Sequence, residues 1–213
     1  RFVFGETGGV FMITIKNLCK AYGDHILFQN LNMEIQSGEF VVFSGPSGCG
    51  KTTLLNMIGA LEPFDEGEIL VDGIDISRKK NRLDYFSRKV GFIFQNFVLM
   101  EEKTVRQNLE IIQQKNRTKI SIEKALELVK MGDKADSKVY TLSGGEQQRV
   151  ALARLLVKKC SLILADEPTG SLDRSNAKLV MGIFNILNHY GKTMILVTHD
   201  EEIKKQGGRI IEL

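Results

Sequence analysis

Residues 39–59, "EFVVFSGPSGCGKTTLLNMIG", put the tightest limit on what this chain can fold into. A short apolar run ends in glycine, a glycine-rich loop follows, and the pattern then turns helical. Gly45 to Thr52 matches G-x-x-x-x-G-K-[ST], in the setting that motif needs, after a predicted strand and at the start of a predicted helix. Gly45, Pro46, Ser47, Gly48, Cys49 and Gly50 allow the backbone to wrap closely around phosphates. Amide N–H groups and the helix N-terminus there answer the negative charge. Lys51 is expected to reach the β- and γ-phosphates of a nucleotide, and the Thr52 hydroxyl to ligate Mg2+, with Thr53 closing the segment. An incidental glycine-rich turn is the alternative, and the strand–loop–helix context argues against it. Cys49 reads as a small filler of the loop, or as a thiol whose pKa the helix N-terminus lowers.

The rest of the chain supplies the sheet such a loop requires. "MITIKNL" at 12–18 and "ILFQNLNMEI" at 26–35 alternate like strands, the second with Leu27, Leu31, Met33 and Ile35 apolar. "GEILVDG" at 67–73 and "VGFIF" at 90–94 read as further strands. The helix after the loop runs from Lys51 to Leu61, and Pro63 is expected to stop it. Residues 96–145 hold no strong strand and read as an inserted helical lobe. In it Ser121 is a candidate N-cap and Gly132 a candidate stop, with Ile122, Ala125, Leu126 and Val129 on one face. A helix at 146–158, the strand "SLILAD", a helix at 175–189, "TMILVT" at 193–198 and "RIIEL" at 209–213 follow. Leu179, Val180, Ile183, Phe184 and Leu187 form the stripe of that last helix. Strands alternating with helices imply an α/β fold with a parallel sheet, and the strand-rich first third implies a smaller antiparallel sheet. Residues 1–11 read as sequence foreign to the domain, which is expected to span 12–213 with its core at 12–94 and 146–213.

A second acidic strand end completes the chemistry. "SLILADEPTGSLD" at 161–173 brings Asp166 and Glu167 to the end of an apolar strand. Beside a phosphate loop, Asp166 is expected to serve Mg2+, and Glu167, one residue on and so on the other side of the strand end, to polarise an attacking water. A carboxylate pair heading a turn is the plainer alternative. Bulk properties fit a soluble-type domain: 43% apolar and 26% charged residues, and a net charge of +3 that is too small to indicate a nucleic-acid binder. The three cysteines, Cys19, Cys49 and Cys160, imply neither a disulfide framework nor a zinc site and favour a reducing compartment. No run approaches the roughly 20 apolar residues of a membrane span, and the N-terminus does not read as a signal peptide.

With these motifs in this order, the chain resembles the nucleotide-binding domain of the ATP-binding cassette (ABC) ATPases over essentially all of residues 12–213. The resemblance implies a P-loop NTPase (RecA-like) core with ATP and Mg2+ as its cofactors. It also implies roles. Tyr22, in "KAYGDH", is similar to the aromatic that stacks on adenine. Gln95, in "FIFQN", resembles the glutamine that contacts Mg2+ and the attacking water. His199, in "VTHD", resembles the switch histidine at the γ-phosphate. "LSGGEQQR" at 142–149 matches the family signature, and "SLD" at 171–173, with Asp173, resembles the loop that crosses to the other subunit. In the family, residues matching Ser143, Gly144 and Gly145 complete the ATP site of a second copy, so a head-to-tail, ATP-dependent homodimer is implied. "LADEPTGSLD" is most similar to the subgroup of macrolide exporters, lipoprotein-release ATPases and the cell-division ATPase.

Three functions compete on this reading. The first is the ATPase of a bacterial ABC transporter or mechanotransmission complex, on the cytoplasmic face of the membrane. It would work with a separately encoded transmembrane permease subunit, and Phe97, Val98, Leu99 and Met100 would seat a helix of that partner or pack inside the helical lobe. The second is a soluble ABC ATPase in cell division or nucleic-acid maintenance, which the mild charge and the absence of a second cassette or a long coiled coil disfavour. The third is an ATP-binding module without turnover, which Glu167 and His199 oppose.

Overall fold

The computed structural model describes residues 11–170, 172–204 and 208–213. Two long strands, β1 (Phe11–Tyr22) and β2 (His25–Gln36), pair antiparallel across a tight turn. β1 starts one residue earlier than expected because Phe11 pairs with Gln36, whereas residues 1–10 lie outside the described part. The alternation read in residues 26–35 slips within β2. Asn30 takes a left-handed φ of 54° and the register shifts between the Leu18–Leu31 and Lys20–Phe28 pairs. This bulge buries Phe28 and leaves Leu27, Leu31 and Met33 half-buried.

β3 (Phe40–Ser44) runs into the glycine-rich loop, and α1 (Lys51–Ile58) follows. α1 is three residues shorter than expected, and Pro63 is not what ends it. Ala60 is left-handed at φ 55°, its N–H reaches the Met57 carbonyl, and the Leu61 N–H reaches that of Asn56. These two bonds make a Schellman close one turn before the proline. β4 (Glu66–Val71) returns along β1 and hairpins into β5 (Ile74–Asp75), a strand the sequence reading missed. Asp72 and Gly73 form its turn with φ of 52° and 72°, the left-handed pair that two-residue hairpins favour.

α2 (Lys79–Asp84) and a π-helical turn (Tyr85–Lys89) lead into β6 (Val90–Ile93). The helical segment after it holds α3 (Val105–Glu110) and α4 (Ile122–Leu128). Ser121 caps α4 by accepting the Lys124 N–H at 3.1 Å, and Ile122, Ala125, Leu126 and Val129 are all buried. Gly132 is not its stop: α4 ends at Leu128, Lys130 turns left-handed at φ 57°, and Gly132 opens a 3-10 turn. α5 (Gly144–Val157), β7 (Leu162–Asp166), α6 (Arg174–His189), β8 (Thr193–Val197), α7 (Glu201–Lys204) and β9 (Arg209–Glu212) complete the chain. On α6, Val180, Ile183, Phe184 and Leu187 are buried and Leu179 is partly covered, as its stripe predicts.

The larger sheet is wholly parallel in the order β6-β7-β8-β3-β9, and the smaller is antiparallel in the order β2-β1-β4-β5. Because side chains alternate along a strand, the parallel sheet feeds two cores. Val42, Ile163, Ala165 and Leu196 pack toward the lobe, α5 and α6, whereas Val41, Phe43, Leu164 and Val197 pack toward α1 and the antiparallel sheet. This sandwiching explains why β3, β7 and β8 are near-continuous apolar runs.

Candidate active site

Four strands of the parallel sheet deliver side chains to one place. β3 leads to the loop 45–50, β6 to Gln95, β7 to Asp166 and Glu167, and β8 to Thr198 and His199. The carboxyl ends of parallel strands are where open α/β sheets bind ligands. A cleft of about 900 Å³ opens there, lined by Ser47, Gly48, Gly50, Lys51, Thr52, Thr53, Gln95, Glu167, Thr198 and His199 among others.

The loop's shape follows from its glycines. Gly50 has φ 100°, and a Cβ there would lie 2.5 Å from the Phe28 ring, so β2 presses directly on the loop. A Cβ on Gly45 would lie 2.7 Å from the Leu213 carbonyl. Lys51 is buried inside the loop, donating to the carbonyls of Gly45 at 2.9 Å and Pro46 at 2.8 Å. Cys49 is half-buried, and its Sγ accepts from the Lys51 Nζ at 3.6 Å.

The Thr52 hydroxyl donates to Asp166 Oδ1 at 3.1 Å. Burial pushes the Asp166 pKa upward, opposed by the Thr52 bond and the Lys51 charge. Among the described residues no three His, Cys, Asp or Glu side chains gather to hold a metal by themselves. Thr52 and Asp166 nevertheless present two hard oxygens side by side, which fits Mg2+, an ion that takes few protein ligands and completes its shell with phosphate and water.

Glu167 departs from the simple strand alternation expected of it. Its φ is 44° and it lines the cleft directly, whereas Asp166 is not among the lining residues and stands behind Thr52. Thr198 Oγ1 donates to Glu167 Oε2 at 3.3 Å and itself accepts the Asp200 N–H at 3.1 Å. Glu167 Oε1 is buried with no hydrogen bond, and the nearest imidazole nitrogen, His199 Nε2, is 3.7 Å away. That separation is too long for a hydrogen bond. A carboxylate oxygen desolvated and unpaired at a cleft wall is suited to take a proton from water. A strained non-glycine residue at this position is the kind of outlier that clusters at functional sites.

Other expected site residues lie outside the cleft. Ser143 and Gly144 are exposed, and neither they nor Gly145 line it. Ser143 caps α5 in a reciprocal box: its Oγ accepts the Glu146 N–H at 3.4 Å, and Glu146 Oε2 accepts the Ser143 N–H at 2.9 Å. A bond from Lys134 holds the Glu146 carboxyl down to about 2, with the Ser143 N–H adding to the effect and burial opposing it. Asp173 caps α6 by accepting from the Asn176 N–H at 2.9 Å, and Ser171 lies outside the described residues. Tyr22 is half-exposed on β1 and also absent from the cleft wall. Of the apolar run after Gln95, Phe97 and Leu99 pack on the core while Val98 and Met100 are exposed, so packing accounts for half of it.

Several residues of this neighbourhood were not singled out from sequence. Thr198 stands inside the quoted "VTHD" and was passed over for its histidine. Gln148 and Arg149 belong to the signature stretch. Gln148 donates to the Pro168 carbonyl at 2.7 Å, and Arg149 binds Asn176 Oδ1, tying the signature helix to the segments that flank Glu167 and Asp173. Asn176 is held locally, its Nδ2 donating to Asp173 Oδ2 at 2.7 Å, while its bond from Arg149 comes from another helix.

A model of the ABC transporter family matches residues 28–170. An uncharacterized ABC transporter ATP-binding protein of Methanocaldococcus jannaschii is 42% identical over 213 residues, covering 95% of this chain and 95% of that protein. A macrolide export ATP-binding/permease protein of Campylobacter jejuni is 38% identical over 212 residues, but the 95% of this chain that aligns spans only 33% of that longer protein. Among solved structures, a dimeric ATP-binding cassette of Methanocaldococcus jannaschii in a post-hydrolysis state bound to ADP and Pi superposes with a TM-score of 0.83 at 38% identity, covering 95% of this chain and 94% of that one.

Proposed function

The chain belongs to the ABC transporter family as an ATP-binding, ATP-hydrolysing subunit, and from that premise we propose how its own residues carry out the reaction. The triphosphate lies along the loop 45–53, held by loop amides and by Lys51, whose ammonium exchanges carbonyl partners for phosphate oxygens. Thr52, Asp166 and Gln95 would hold Mg2+, and the ion would supply charge neutralisation on the phosphate oxygens. Glu167, with its unpaired Oε1, takes the proton of the attacking water, and Gln95 and His199 orient that water and the γ-phosphate.

One observation carries the shared-site reading: Ser143 and Gly144 open a helix at the surface, outside the cleft that gathers the phosphate loop, Glu167 and His199. A helix start with exposed amides is an anion site, and it needs a phosphate from elsewhere. In a two-fold, head-to-tail dimer each copy's Ser143–Gly145 and Asp173 close the other copy's cleft, with ATP bridging the halves. Loss of the γ-phosphate removes that bridge and favours the open pair. No helix among the described residues is long and apolar enough to cross a membrane. We infer that the motion is passed to a membrane subunit at the cytoplasmic face, through the exposed Val98 and Met100 beside Gln95. No nucleic acid is involved. Turnover per molecule should rise with protein concentration until dimers saturate; a flat profile in verified monomer would refute the shared site.

A further inference from the structure

Resting on the reading of Tyr22 as the platform for adenine, we infer that Lys20 and Glu62 are positioning residues that lock this platform at a fixed reach from the phosphate loop. Tyr22 is 50% exposed, yet its ring is not a free rotor. Its hydroxyl donates to Glu62 Oε1 at 3.1 Å. The Lys20 Nζ sits 4.6 Å from the ring centroid and binds the same Glu62 oxygen at 3.0 Å. Lys20 is only 6% exposed and also donates to the Pro63 carbonyl at 2.8 Å. The ammonium thus covers one ring face, which leaves the other for a base and adds a cation–π contact that holds the ring plane.

The latch reaches further than one side chain. The Asp65 N–H donates to the Cys19 carbonyl at 3.0 Å, and Asp65 Oδ2 accepts the Ala21 N–H at 2.7 Å. Residues 62–65 are therefore fastened along the end of β1, and they follow directly from α1. α1 starts at Lys51, the last turn of the phosphate cradle, and its eight residues form a strut of about 12 Å. Base platform and phosphate loop thus ride on one rigid piece. A platform held this way favours ligands that carry an aromatic base over bare polyphosphates, and it removes the entropy cost of ordering Tyr22 on binding.

The test is calorimetric titration of the 213-residue chain with Mg-ATP and, in parallel, with Mg-tripolyphosphate, which has no base. Tyr22→Ala should weaken ATP by about tenfold, as lost base stacking does. Tyr22→Phe keeps the ring, removes one hydroxyl from an exposed residue and so leaves folding intact; it and Glu62→Ala should each weaken ATP by about threefold. None of the three should change tripolyphosphate affinity, and Glu62→Ala should have no further effect on ATP in the Tyr22→Ala background. Unchanged ATP affinity in Tyr22→Ala sinks the stacking reading, and the latch with it. Weakened ATP in Tyr22→Ala with wild-type affinity in both Tyr22→Phe and Glu62→Ala overturns the latch alone. Equal losses for ATP and tripolyphosphate also overturn it, because the damage then lies in the phosphate loop.

Discussion

Gln148 Nε2 donates to the carbonyl of Pro168 at 2.7 Å, and this buried bond ties the signature helix to the loop that carries Glu167. Gln148 Oε1, on the same amide, is buried with no partner. Gln148→Met removes one good bond and orphans the Pro168 carbonyl, but it also removes the orphaned oxygen. With terms of about 1–2 kcal/mol on each side, stability should change by less than about 1 kcal/mol. Turnover should fall severalfold as the Glu167 loop loosens. Gln148→Glu sets a buried carboxylate against a carbonyl and should lower stability by several kcal/mol, about 3 or more. Thermal melts and phosphate-release rates read both.

Asp166 is a charge whose burial works against the fold. Burial raises the Asp166 pKa, so its ionised form is penalised in the folded state, and stability falls as pH rises through that raised value. Asp166→Asn should therefore melt at or above the wild-type temperature at neutral pH, and Glu167→Gln tests the neighbouring carboxylate. Both should lose turnover, Glu167→Gln by at least about a hundredfold if it is the general base. A Glu167→Gln protein that hydrolyses ATP at near wild-type rate removes Glu167 from that role.

Glu146 gives the opposite sign. Its folded pKa of about 2 lies below its ordinary 4.5, with the Lys134 bond as the chief cause. The stability it contributes is complete above 4.5 and is lost as pH falls from 4.5 toward 2. Glu146→Gln should thus be less stable than wild type at neutral pH, and the gap should close below pH 4.5 in acid-titrated melts.

The turn after Gln95 is strained and held. Phe97 and Val98 have φ of 60° and 46°, a costly setting for a β-branched residue. Arg154 of α5 donates to the Val98 carbonyl at 2.6 Å and the Phe97 carbonyl at 3.0 Å. Arg154→Met should orphan both and cost about 1–3 kcal/mol. It should lower turnover while leaving monomer ATP affinity unchanged, because the phosphate loop is untouched. Val98→Gly should raise stability by about 1 kcal/mol, since Val98 is exposed and only its backbone strain is relieved.

The parts of this protein legible in its sequence are those that depend on neighbours in the chain. The phosphate loop, the apolar strands and the caps at Ser121 and Ser143 are local patterns with local causes. The end of α1 was misread because Pro63 looked like the stronger signal, while the left-handed step at Ala60 has no residue-type signature. β5 was legible in principle, as Asp72–Gly73 is a hairpin turn, but a two-residue strand gives no periodicity. The Arg149–Asn176 and Lys20–Glu62 contacts join residues far apart in sequence, and only the folded sheet brings them together. Nothing in "ADEP" announces that Glu167 turns left-handed.

The central claim is that Ser143 serves a neighbouring copy, and light scattering after size exclusion tests it most directly. Glu167→Gln with ATP should elute with the mass of a dimer, and adding Ser143→Arg should return it to monomer while ATP still binds. An ATP-bound Glu167→Gln protein that stays monomeric would contradict the account, and a double variant that loses monomer ATP binding would contradict it by placing Ser143 in its own site.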